Sequence, residues 1–364
     1  MKAIYFTAIA VAGFSFLQAA EPEPVTADNP GPSTPKAAKV PSPAEQPELI
    51  DTMSDGELEA AIDAVKRRFL DPEASSNSGL RRATLHGLLL RLSPGIKLSD
   101  EAPTAEATQA FVAEILDGHI GYLRPGTLDS GALSQFDTTL ASFINKGVDS
   151  VILDLRENTG HDNFEVAAEL TRRLSPRGQV LFTLEKPSAK QERIFTSHDK
   201  PLFQGPLVVL TDNRTRGGGE AAAGALRQAA GAMVIGSPTA GAAVEYETVR
   251  LGSDDTLDIA TSRVLLPDGQ KLYPKGLQPD ISIALAEKTQ KAIFERSIKE
   301  GVSGFVYAPE RIRFNEAALV ANTNPELDTL GERSQTKPQD TVLQRAVDLV
   351  TALRFHRDFQ PAQQ

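Results

Sequence analysis

Along the chain the spacing of apolar positions changes character several times. Leu58, Ile62, Val65 and Phe69 recur at helical spacing behind Ser54-Asp55-Gly56-Glu57, where a serine precedes a glutamate by three places as in a capping box. A second helix is predicted from Gly79 to Leu92, stopped by Pro94-Gly95. In FVAEILDGHIGYLRPG, Asp117-Gly118 separates two apolar runs, the signature of a tight β-hairpin. An amphipathic helix follows from Ser130 to Lys146 through Leu133, Phe136, Leu140 and Phe143. The near-continuous run VDSVILDLREN then reads as a strand buried on both faces.

The alternation continues with a helix from Asn163 to Leu174, strands at GQVLFTLE and GPLVVLTD, a helix from Gly219 to Ala230 and a strand at AMVIG. Such alternation implies a mostly parallel or mixed sheet covered by helices. Past Asp280 the chain reads mainly as helices, including DTVLQRAVDLVTALRF, broken by a polar stretch around Thr323 to Gln339. The charged PERIRFNEA segment reads as a solvated helix start. No internal repeat is present.

The N-terminus changes the picture. Lys2, an apolar stretch from Ile4 to Leu17 and the small pair Ala19-Ala20 follow the pattern of a bacterial export signal over residues 1–20, with an apolar run shorter than the ~20 residues that span a bilayer. Residues 21–50, rich in Pro, Ala, Glu, Ser and Thr, bury too little to offset the entropy of ordering and read as a disordered tether. The expected layout continues with a helical region at 51–110, a core at 111–285 and a helical region at 286–364, in an exported, periplasmic or secreted protein without a membrane span once the signal is removed.

The 364 residues contain no cysteine, which removes disulfides, thiolate metal sites, a cysteine nucleophile and a lipidated N-terminal cysteine. A formal net charge of -10 without any Lys/Arg block argues against nucleic acid as a partner. His86, His119, His198 and His356 are scattered without metal-ligand spacing, so neither a metal nor another cofactor is expected. Gly217-Gly218-Gly219 opens a helix but lacks the Lys and Ser/Thr of a phosphate-binding loop. His161 beside Asp162 reads as a solvated loop pair. Ser237 and Thr239 read as loop hydroxyls without an evident base.

Three segments, in this order, resemble the tail-specific, or C-terminal-processing, serine peptidases. GHIGYLRPG leading to VILDLRENTG (Val151 to Gly160) is similar to the family's LDLRxNxGG turn. PLVVLTDNRTRGGGEAAAGAL (Pro206 to Leu226) is similar to PLVVLVNxxSASASEIxAGAL. The stretch from Met233 to Ile281 is similar to a pattern that includes FGKG and GIxPDI. The strong match covers roughly Gly118 to Ile281 and implies an α/β fold with a Clp protease/crotonase-like mixed-sheet core and helical flanks. The roughly fifteen residues between Pro94 and Phe111 are too few for the family's PDZ insertion, a domain of ~90 residues.

By that resemblance the nucleophilic Ser falls on Gly219 and the basic Lys on Ala242. A hydroxyl attacks a carbonyl only when a base takes its proton, and neither group exists at these positions. What the resemblance leaves is a backbone oxyanion site, at Gly160 and at the amide of Glu220, with His161 standing where the family has a second glycine. The expected function is a catalytically inactive homologue that binds a peptide or partner protein, alone, as a homo-oligomer or with an active paralogue. The alternatives are an active serine endopeptidase with an unrecognised nucleophile, or a structural envelope protein.

Overall fold

A computed structural model describes residues 50–71, 73–99, 109–158, 163–251, 255–306 and 338–359. The expected signal segment, most of the Pro-rich tether, the polar stretch up to residue 337 and the PERIRFNEA segment lie outside them. The chain forms two compact units, divided between Ser76 and Asn77.

The first unit holds helix α1 (Asp55–Arg68). The Glu57 carboxylate accepts from the Ser54 amide at 2.8 Å and from its hydroxyl at 2.7 Å, which satisfies a donor at the helix start. The apolar stripe that predicted this helix stays half exposed, with Ile62 at 49% and Phe69 at 54%.

The second unit opens with helix α2 (Asn77–Arg91), which buries no residue. It is built on two sheets. Strands β2 (Val112–Leu116) and β3 (Ile120–Arg124) form the antiparallel hairpin that Asp117-Gly118 predicts, with both turn residues at positive φ, 49° and 73°. Against β3 lie β4 (Ser150–Asp154), β7 (Leu207–Thr211), β8 (Met233–Gly236) and β11 (Ile281–Ser282), all parallel, in the order β11-β8-β7-β4-β3-β2.

Both faces of this sheet are covered, which explains why its strands carry unbroken apolar runs. Val151, Leu153 and Val209 point into a core shared with α3 (Ser130–Asn145), α4 (Phe164–Arg172) and α5 (Gly218–Ala230). Ile152, Val208 and Leu210 face the other way, against Val342, Leu343, Ala346, Val347 and Val350 of the last helix, α7 (Thr341–Phe359). Each fully buried Val or Leu contributes about 1.5–3 kcal/mol. Helix α6 (Glu287–Glu300) precedes α7 in the chain.

The second sheet is antiparallel and holds β1 (Ile96–Ser99), β5 (Val180–Lys186), β6 (Gln191–Thr196), β9 (Val244–Arg250) and β10 (Thr256–Leu265). β1 lies within the segment that reads as helical, and β5 is not part of the parallel run. A short 3-10 turn at Pro187–Ala189 folds β5 back on β6, where Phe182 stacks on Phe195 with ring centroids 4.6 Å apart. β10 pairs with β9 along one edge and with β1 and then β5 along the other.

Candidate functional site

The site sits where β7 passes into α5. The connecting turn is shaped by Asp212, whose carboxylate accepts from the amides of Glu157 at 3.0 Å, Arg214 at 3.0 Å and Thr215 at 2.8 Å, and from Gln290 Nε2 at 2.6 Å. These bonds tie the turn to the end of β4 and to α6. Gly217 then adopts φ 55° and ψ −121°, a conformation open to glycine, before the helix begins.

Gly219 is buried in the first turn of α5. A β-carbon placed on it would lie 2.9 Å from Asn158 Oδ1 and 3.3 Å from Thr215 Cγ2. Asn158, at the end of the LDLREN run, is itself buried, with its Nδ2 donating to the Gly126 carbonyl. Its Oδ1, the atom that faces Gly219, has no hydrogen-bond partner.

Ala242 is 3% exposed, in the loop between β8 and β9. The fully buried Glu220 joins it to the start of α5. Glu220 Oε1 accepts from the Ala242 amide at 2.7 Å, and Oε2 accepts from the Gly241 amide at 2.9 Å and the Thr239 hydroxyl at 2.5 Å. Thr239 Oγ1 in turn accepts from the Leu277 amide at 2.8 Å. Burial pushes the Glu220 carboxyl above its ordinary range, against the pull of the Thr239 hydroxyl and of backbone donors that include Gly217.

Positions 219 and 242 are thus brought to neighbouring places around one carboxylate, and both are buried. Gly160 and His161 lie outside the described residues. Thr239, read in the sequence as a loop hydroxyl, is engaged with a carboxylate. Asn158 was visible as a motif residue, yet nothing in the sequence reveals that its carboxamide points at Gly219. Arg216 also escaped notice, although it stands where the family pattern has a small alanine. Among the described residues, no cluster of three His, Cys, Asp or Glu side chains could hold a metal ion.

A mostly parallel sheet whose strand enters a helix through a glycine turn, with a carboxylate fastening the next loop to that turn, defines a mixed α/β protein with its site at the β7–α5 junction. Residues 119–283 match Peptidase family S41. The carboxy-terminal processing protease CtpB of Bacillus subtilis is 24% identical over 171 residues, 46% of this chain and 35% of the relative. A probable CtpA-like serine protease of Staphylococcus haemolyticus is 24% identical over 231 residues, 63% of this chain and 44% of the relative. The chain therefore spans less than half the length of each of these relatives. Among solved structures, a photosystem II D1 C-terminal processing protease superposes with a TM-score of 0.42 at 20% identity, over 57% of this chain and 53% of its own. Among the described residues no helix is long and apolar enough to cross a membrane.

Proposed function

We propose that this chain is an exported, non-catalytic relative of the C-terminal-processing peptidases that binds an extended peptide or a partner protein. The observation that carries this reading is the pair Gly219 and Ala242. One position offers no atom to attack a carbonyl and the other no amine to take a proton. Losing such a nucleophile or base costs on the order of 10⁶ in turnover, and losing both costs little more because they act as a unit.

Peptide binding without catalysis is supported by the sheet architecture, because a sheet edge can accept a strand through main-chain hydrogen bonds alone. The short stretch between Pro94 and Phe111 leaves no room for a PDZ insertion, so capture in the family's usual manner is lost and binding falls to the core itself. The signal-like pattern of residues 1–20 supports export.

One observation favours a second reading, an active peptidase. The Thr239 hydroxyl donates to Glu220 at 2.5 Å, a hydroxyl beside a carboxylate of raised pKa. Against it, Thr239 is 6% exposed and its oxygen is already an acceptor for Leu277.

The test is to expose the purified chain to a fluorophosphonate probe and to casein, and separately to a random heptapeptide mixture over the immobilised chain. The expected result is no covalent labelling, intact casein and retained peptides. Casein cleavage that disappears in Thr239→Val establishes the second reading, and failure to retain any peptide sinks the binding role.

A further inference from the structure

At the carboxyl ends of β7 and β8 lies a cavity of about 630 Å³, within the ~300–1,000 Å³ typical of ligand sites. Asp212 to Arg214 and Arg216 wall one side, Ser237 to Ala240 another, and Glu287 with Gln290 of α6 close it. Crevices outside the carboxyl ends of parallel strands are where open α/β sheets bind ligands.

Asp212, Glu287, Arg214 and Arg216 bring two negative and two positive charges to this lining, yet one of the groups finds no partner among the described residues. Asp212 spends its oxygens on the amides of Glu157, Arg214 and Thr215 and on Gln290. Glu287 pairs with Arg214, Oε1 to Nη1 at 3.6 Å. Glu220, behind Thr239, is taken up by Thr239, Gly241 and Ala242. Arg216 is left without an ion pair among the described residues, and its Nε is buried with no acceptor.

A buried donor without an acceptor is destabilising unless something else accepts from it. The backbone around Arg216 is nonetheless held firmly: its amide donates to the Asn158 carbonyl at 3.1 Å, and its carbonyl accepts from the Gly219 amide at 3.0 Å. The guanidinium is therefore carried on a fixed turn, one residue from Gly217. Asn213 and the Ser237 hydroxyl add uncharged donors on the same lining.

We infer that this cavity is a carboxylate-binding site anchored by Arg216, and that the peptide recognised by the chain presents a carboxylate there, from an acidic side chain or from a free C-terminus. The inference rests on the peptide-binding reading for the identity of the ligand, and on the geometry alone for the site. A single planar guanidinium beside hydroxyl and amide donors suits a planar carboxylate, which it can hold through two parallel bonds.

Three small probes test it on the purified chain, followed by the Arg216 Nε–H resonance: N-acetylglutamate N-methylamide, with a side-chain carboxylate only; N-acetylalanine, with a terminal carboxylate only; and neutral N-acetylglutamine N-methylamide. At least one acid is expected to shift the resonance saturably and to bind ten-fold or more tighter than the neutral probe. Measured by titration calorimetry in parent and variants alike, Arg216→Gln should weaken that acid at least ten-fold and Arg216→Lys by less, both with unchanged far-UV circular dichroism. Which acid binds identifies the source of the carboxylate. If the resonance ignores both acids, or if Arg216→Gln binds them as well as the parent does, the inference is wrong even when heptapeptides are retained. If an acid binds but no peptide is retained, the site stands and the peptide reading falls.

Discussion

Asn158 Oδ1 occupies the space that a side chain at Gly219 would need, 2.9 Å from the position of its β-carbon. The carboxamide cannot swing away freely, because its Nδ2 is anchored on the Gly126 carbonyl and the residue is 2% exposed. Gly219→Ser is therefore expected to behave as an overpacked core substitution, losing about 1–3 kcal/mol. Asn158→Ala in the same chain should recover part of that loss, giving a coupling of at least about 0.5 kcal/mol in a double-mutant cycle by urea unfolding. Strict additivity would mean that the two residues do not compete for the same space.

The Arg of the LDLR run serves the fold. Arg156 is 1% exposed, and its Nε and Nη2 donate to Asp154 at 2.9 and 2.7 Å while Nη1 and Nη2 donate to Asp340 at 2.9 and 2.7 Å. Asp340 also accepts from the Leu343 amide at the start of α7, so the pair fastens the last helix to β4. Arg156→Met should cost about 3–5 kcal/mol, because two buried carboxylates lose their counter-charge. Burial works against the Asp154 charge, but Arg156 outweighs it and holds the carboxyl below its ordinary value of 3.8. The corresponding stability is present above that value and is lost as pH falls through the lower folded one. Urea midpoints across the acid range should show this loss in the parent. In the variant the loss should shrink, because only the Arg124 charge and the Tyr122 hydroxyl are then left to oppose burial at Asp154.

Gly241 tests the closure of the loop that carries Ala242. It sits at φ 69°, and a β-carbon there would lie 2.1 Å from the Pro274 carbonyl oxygen. Gly241→Ala should destabilise the chain by more than about 1 kcal/mol, since both the backbone conformation and the contact oppose it. Hydrogen exchange offers the sharper measurement: the amides of Gly241 and Ala242, protected in the parent by Glu220, should exchange faster in any variant that folds. Unchanged protection would show that the loop is held by something other than the glycine conformation.

Much of the main sheet was legible because burial on two faces forces unbroken apolar runs, as in Val151 to Leu153 and Leu207 to Leu210, and because Asp117-Gly118 has few alternatives to a hairpin. The second sheet was harder to read. β6 is exposed except at Phe195, and β9 loses its burial after Val244, so neither carries a strong period. β5 has the same apolar look as a parallel strand, and only its Pro187 turn directs it to an antiparallel partner. At the site, positions 219 and 242 could be marked as lacking a hydroxyl and an amine. The burial of both, the carboxylate between them and the placement of Arg216 depend on contacts between segments far apart in the chain, such as Glu220 with Ala242 and Arg216 with Asn158. No local pattern encodes those contacts.

Glu220 gives the remaining prediction its sign. Its carboxyl is raised above 4.5 by burial, so the folded chain carries a penalty for the charged form that disappears on protonation. This group therefore favours the folded state more as pH falls from above its folded value to below its unfolded one, the reverse of Asp154. Glu220→Gln replaces one acceptor oxygen with an NH₂ group among donors from Gly241, Ala242 and Thr239, and should cost about 1–3 kcal/mol at neutral pH. The variant cannot gain from acidification at this position while the parent can. The stability gap between them should therefore widen as pH falls from neutral through the raised folded value, read from paired urea titrations. A gap of constant size would mean that Glu220 does not change charge in that interval.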